Sequence, residues 1–203
     1  ARQIAGARVH RPDKRGAPSE PLAGEIEYER RNLFSDSFGV LYDGLSLLHI
    51  FVRFIPQTEL EHCHIALVNQ LFGTWDQNDL RFHIRVSLYG FPTLISTTGM
   101  VEAPAKPREF YLRRQLGEDP ISLKREFEAR FIDYDDPRMT EVMKGYAMQA
   151  VFFHLTGNPF CEEKSCRLYN AHWQEEVLGS QLYGQDLCPR HQAVLAALAG
   201  EAS

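Results

Sequence analysis

Three of the four cysteines of this 203-residue chain fall in its last quarter, as Cys161-x4-Cys166 and then Cys188-Pro-Arg-His191. Zinc takes four soft or borderline ligands at the corners of a tetrahedron, and short spacings let two ligands of one loop reach it without strain. The second pair precedes an apolar, alanine-rich stretch that reads as a helix, a common way to present two ligands together. The competing readings are three buried free thiols beside a surface histidine, or a disulfide network, which an intracellular chain disfavours. The spacing points to one structural zinc ion held by Cys161, Cys166, Cys188 and His191.

Other groups carry weaker chemistry. In His62-Cys63-His64, a strand would put both histidines on one face, a spacing some metal sites use, although a strand edge accounts for them equally well. Asp133, Asp135 and Asp136 offer hard oxygen ligands of the kind Mg²⁺ takes. Capping by Asp136 and an exposed loop explain the same three carboxylates. Arg2, Arg8, Arg11, Lys14 and Arg15 crowd the first fifteen residues. A solvated tail is the expectation there: the net charge of -5 and the lack of a basic recognition helix argue against nucleic acid.

The elements that must position these groups change character midway. Residues 1 to about 24 are rich in Pro and Gly and read as an irregular or disordered tail. Leu45 to Ile55 reads as a buried strand, His64 to Val68 as a second, and Arg81 to Leu88 alternates with the period of two of a half-buried strand. Thr93 to Thr98 extends the β pattern to Gly99. Asp119-Pro120 then starts a helix through Phe131, and Asp136-Pro137 repeats the signal. Behind it Met139, Val142, Met143, Tyr146, Ala147, Ala150, Phe153 and His154 recur at steps of three and four. That predicts a long helix with one face in the core, closed by Gly157. A loop carrying the cysteines and a short helix from about Gln192 to Ala199 complete an α+β order, sheet first and helices after.

The long helix and cysteine loop resemble the archaemetzincin signature, H-E-x-x-H-x-x-G-x-x-H-C-x4-C-x-M with a C-x-x-C downstream. Ala150 to Leu168 reads AVFFHLTGNPFCEEKSCRL. On that pattern His154 takes the place of the second zinc histidine, Gly157 that of the glycine, and Cys161 and Cys166 those of the paired cysteines. Leu168 stands where the family has its Met-turn methionine, and Cys188-Pro-Arg-His191 stands for the terminal C-x-x-C. Glu175 and Glu176 fall in a region often acidic in that family. The departures fall on the chemistry: Ala150 replaces the first histidine, Val151 the general-base glutamate and Phe160 the third histidine. A group of prokaryotic proteins labelled as metallopeptidases is also similar over roughly residues 60 to 191, through TWDQND at Thr74 to Asp79, STTGMVEAP at Ser96 to Pro104 and NAHWQEE at Asn170 to Glu176. The resemblance implies a metzincin-like twisted mixed sheet followed by helices, in a single domain from residue 25 to 203 whose zinc-stapled segment runs from about 158.

Two functions follow. Losing two ligands and the base together leaves no HExxH machinery, so the first is a pseudoenzyme, a non-proteolytic scaffold whose partners would be peptides or proteins. The second is a zinc hydrolase with a rebuilt site, His154 and His172 joined by Glu175 or Glu176 as ligand and base. The 44% hydrophobic and 24% charged composition suits a globular chain that builds its own core. No apolar run is long enough to cross a bilayer and no signal peptide is visible, so a cytoplasmic protein is expected.

Overall fold

The computed structural model describes residues 1–15, 20–32, 39–184 and 186–201. Its contacts divide the chain into two compact units, Ala1–Ala103 and Pro104–Ser203. Mixed α+β content is as expected. Among the described residues the β-structure is two three-stranded mixed sheets, both in the first unit, where one twisted mixed sheet was expected.

The first unit opens with helix α1 (Arg2–Ala5) and helix α2 (Ala23–Arg31). The expected tail is therefore partly structured, and residues 16–19 lie outside the described part of the chain. The reason is pairing with distant backbone. Val9 N donates to Leu41 O at 2.7 Å, and Asp43 N donates to Ala7 O at 2.7 Å. These bonds lay residues 7–9 against strand β1 (Leu41–Asp43). Ala5 and Ala7 are buried, and Arg8 is fixed by Glu29, whose carboxylate also accepts from Tyr42 Oη.

Helix α3 (Gly44–Phe51) and a 3-10 turn (Val52–Phe54) follow β1. This corrects the strand expected over Leu45 to Ile55. An apolar run that short has no period of its own, and the cap decides it. The Asp43 carboxylate accepts from Ser46 N at 2.8 Å and so satisfies one orphan amide of a helix start. Leu47 then enters the core with Tyr42, Phe72 and Leu94.

Strands β2 (Ile65–Val68), β3 (Leu71–Asp76), β4 (Arg81–Arg85), β5 (Ser87–Leu88) and β6 (Thr93–Ser96) come next. One sheet runs β1-β3-β4, parallel then antiparallel, with Tyr42 opposite Phe72 and Trp75 opposite Phe82. The other runs β2-β6-β5, again parallel then antiparallel. The β pattern stops at Ser96 rather than Thr98, because Ser96 Oγ accepts from Gly99 N at 2.8 Å and caps helix α4 (Thr97–Glu102).

The second unit begins with helices α5 (Arg108–Gln115) and α6 (Pro120–Glu126), the latter capped by Asp119 and continued by a 3-10 turn over Glu128–Arg130. Phe110, Leu123, Phe127 and Phe131 form its first core cluster. Arg138 closes the following loop. Its guanidinium donates to Phe131 O at 2.7 Å, to Glu128 O at 2.9 Å and to the Asp136 carboxylate at 2.6 Å. Asp136 thus serves Arg138 and its amide, while Arg138 is the residue preceding helix α7 (Met139–Thr156).

Helix α7 buries Val142, Tyr146 and Ala150 of the predicted stripe, together with Gly145, Gln149 and Phe152, which the sequence pattern did not single out. Met139, Met143, Ala147 and Phe153 are half-buried, and His154 departs furthest. It lies at the margin of that stripe in the last turn and is exposed rather than turned into the core. Gly157 ends the helix in the left-handed conformation at φ 76°, where a side chain would be strained. Helix α8 (Gln174–Leu178), a π-helical turn (Gly179–Tyr183) and helix α9 (Pro189–Glu201) complete the unit. Among the described residues, no helix is long and apolar enough to cross a membrane.

Candidate metal centre

Two segments build the centre. After Gly157 the chain turns through Asn158, whose side-chain oxygen accepts from Phe160 N at 3.1 Å, and enters the cysteine loop. Cys161 N donates to Leu168 O at 2.8 Å, Cys166 N to Glu163 O at 3.0 Å, and Tyr169 N to Cys166 O at 2.9 Å. These bonds fold the loop back so that both thiols point to one side. The second segment reaches the loop through Arg167 N, which donates to Asp186 O at 3.2 Å. Proline at the first position of α9 then sets Cys188 just before the helix and His191 one turn into it, with His191 N donating to Cys188 O at 3.0 Å. Gly184 lets the two segments approach: a Cβ there would stand 2.3 Å from Ser165 O.

The Cys161, Cys166 and Cys188 sulfurs and His191 Nδ1 converge, one ligand atom of each residue lying within 4.8 Å of all the others. Cys161 Sγ is 3.8 Å from Cys188 Sγ; His191 Nδ1 is 3.1 Å from Cys188 Sγ and 3.9 Å from Cys166 Sγ. A tetrahedral site with metal–sulfur bonds of about 2.3 Å and metal–nitrogen bonds of about 2.0–2.1 Å has edges of about 3.8 Å between sulfurs and about 3.6 Å between sulfur and nitrogen. The observed separations straddle those values, so the residues fit a four-coordinate metal. The cysteines are free thiols, which sets the disulfide reading aside.

The surroundings favour metal ligation as well. All four side chains are buried, among Phe152, Leu168, Leu187, Met148 and Val194. Burial, helped by the adjacent Cys166 and Cys188 thiols and opposed by a bond from Glu163 N, pushes the Cys161 thiol up to about 11. A thiolate therefore needs a cation beside it here. Two amides already point at sulfur, Glu163 N to Cys161 Sγ at 3.3 Å and Cys188 N to Cys166 Sγ at 3.5 Å. Burial, and then the Arg190 cation, hold His191 below the usual histidine value, which keeps its ring in the neutral form that binds metals. The ring meets Phe152 edge-on at 5.4 Å between centroids.

The other candidate groups are arranged differently. Among the described residues, Cys161, Cys166, Cys188 and His191 are the only group of three or more His, Cys, Asp or Glu side chains whose ligand atoms gather this way. His154 and His172 are both exposed. Glu175 is bound to Arg130 at 2.7 Å. Glu176 caps α8, accepting from His172 N at 3.0 Å and Trp173 N at 3.3 Å. The set His154, His172, Glu175 and Glu176 is thus not assembled as a ligand cluster. Of the residues standing for the missing metzincin groups, Ala150 is fully buried while Val151 and Phe160 are 37% and 36% exposed.

Asp133 is paired with Lys124 at 2.7 Å and Asp136 with Arg138, which explains two of the three loop aspartates without a cation. His62 and His64 have ring centroids 6.3 Å apart, and His64 Nε2 lies 2.6 Å from Glu59 O. The sequence did not single out Gly184: two glycines, Gly179 and Gly184, lie between the ligand pairs, and only the fold shows which of them stands at a close approach. It also gave no hint of the amides that point at the sulfurs, since backbone donors leave no mark in residue type.

No curated protein and no solved structure is significantly similar to the chain. A family model described as "Probable metallopeptidase family (DUF6775)" matches residues 1–198, a span that takes in both units and all four residues of the Cys/His centre. On that match the chain belongs to this family.

Proposed function

We propose that Cys161, Cys166, Cys188 and His191 hold one structural zinc ion, and that the protein is a non-proteolytic member of its family, an archaemetzincin-like scaffold that binds peptide or protein. The observation that carries this reading is the closed ligand set. Four protein ligands complete a zinc tetrahedron and leave no position for the water that a hydrolytic zinc must activate. The positions that would supply a second, open site hold Ala150, Val151 and Phe160 instead of His, Glu and His. Zinc in this centre supplies a cross-link. The two amides facing sulfur stabilise the thiolates, the apolar shell excludes competing water, and His191 joins as a neutral ring.

The test is metal analysis of the purified chain beside a peptide-library cleavage assay. One zinc per chain, cobalt replacement with a tetrahedral thiolate spectrum, and no cleavage that a chelator abolishes are the expected results. A second equivalent of zinc with chelator-sensitive cleavage would overturn the scaffold reading and favour a site rebuilt on His154, His172 and a glutamate.

A further inference from the structure

The first unit carries a cationic cavity that neither the metal centre nor the proposed scaffold role uses. It has a volume of about 530 Å³ and is walled by the N-terminal segment, the start of α3 and Phe82 of β4. The chain as a whole has a net charge of -5, yet Arg8, Arg11, Lys14 and Arg15 line this cavity against one carboxylate, Asp43.

Two of the four cations are already partnered. Arg8 donates to Glu29 at 2.8 Å and lies over the Tyr28 ring, and Arg11 holds Asp13 at 2.9 Å. Lys14 and Arg15 make no ion pair among the described residues. The opposing charge of Asp43 faces the helix start, where it accepts from Ser46 N. His10 and His49 add ring nitrogens to the same wall, and Val9, Leu45 and Phe82 give it an apolar side. Leu45 is 49% exposed there.

A basic stretch at a chain end is ordinarily a solvated tail, and here the backbone shows otherwise. It is pinned to β1 on both sides of Arg8, and Pro12 O accepts from Phe82 N at 2.8 Å. Residues 7–12 are thereby held beside the cavity and Lys14 N donates to Arg11 O at 3.2 Å, so part of the entropy of gathering the cations is already met by the fold.

We infer that this cavity binds a phosphate-bearing organic anion of nucleotide size. Uncompensated cations beside two histidines suit the oxygens of a phosphate chain, since charge-assisted bonds to phosphate are the strong ones. The apolar wall suits a ring or alkyl body, and the volume lies within the range of about 300–1,000 Å³ usual for small-molecule sites. A nucleic acid would need a basic stripe extending beyond one cavity, and the acidic net charge opposes that.

The test is calorimetric titration of the full chain with ADP, pyrophosphate, inorganic phosphate and adenosine. It is repeated on a Lys14→Gln/Arg15→Gln variant and on an Arg31→Gln/Arg53→Gln variant of equal net charge whose changes lie outside the cavity. Expected are saturable ADP binding, competition by pyrophosphate, no binding of adenosine, and at least about a ten-fold weakening in the first variant alone. Equal weakening in both variants, or no saturable binding of ADP and pyrophosphate, overturns the inference. So does adenosine or inorganic phosphate binding as tightly as ADP.

Discussion

Replacing Cys166 by alanine separates metal from packing at the candidate centre. Cys166 is fully buried, and its sulfur lies 3.9 Å from His191 Nδ1 and accepts from Cys188 N. Without metal the substitution removes one buried atom and one weak acceptor, a loss of about 1 kcal/mol. With metal it removes one of four ligands. Structural zinc contributes about 10–16 kcal/mol of apparent binding energy in small peptides, and whatever part binds only the folded state is folding energy. A loss of affinity of about a hundred- to a thousand-fold would remove about 3–4 kcal/mol. For a unit of this size that lowers the melting temperature by about 12 °C or more. The assay is urea unfolding of parent and variant, each with zinc and after chelation. The Cys166→Ala deficit should be about 3–4 kcal/mol with zinc and shrink to about 1 kcal/mol without it. Leu168→Ala, in the same core cluster, should cost about 2–5 kcal/mol under both conditions, since it removes packing and no ligand. An identical Cys166→Ala deficit with and without chelator would refute the reasoning.

Three other substitutions test the elements that position the centre. Gly184→Ala should lower stability by about 2 kcal/mol or more and weaken zinc retention, because its Cβ would meet Ser165 O, whereas Gly179→Ala meets nothing and should be neutral; thermal melts and a zinc-release assay compare the two. Arg138→Met should cost about 3 kcal/mol, since it leaves Asp136 with only the amide of residue 138 and takes the guanidinium from three backbone carbonyls. Burial works to raise the Asp136 carboxyl, but the Arg138 bonds outweigh it and hold it below the usual carboxylate value. Its stabilisation is therefore present above about pH 4, is lost as pH falls through the depressed folded value, and should be missing from the acid limb of the variant's unfolding profile. The triple change Ala150→His, Val151→Glu and Phe160→His should cost about 1–3 kcal/mol in thermal or urea unfolding, because Ala150 has no exposed surface to accommodate a ring, and it should gain no chelator-sensitive cleavage in a peptide library.

Residue type and local spacing carried much of the candidate centre. Sulfur ligands are scarce, and when two pairs sit close in a chain the geometry of short loops leaves few ways to place them apart. Helix α7 and its cap at Gly157 were legible for the same reason: a stripe at steps of three and four and a left-handed stop are both local signals. Helix α3 was not, because a short apolar run reads alike in strand and helix until the Asp43 cap is recognised. The N-terminal segment escaped altogether. Its order comes from backbone bonds to Leu41, Asp43 and Phe82, and backbone donors are the same in every sequence. His154 shows the limit of periodicity, which fixes the direction of a stripe but not where its edge meets solvent. Glu175 and Glu176 looked available for metal chemistry. The fold gave one to Arg130, forty-five positions earlier in the chain, and the other to the start of α8. Which charges are left unpaired is decided by partners distant in sequence, and only the folded chain brings those within reach.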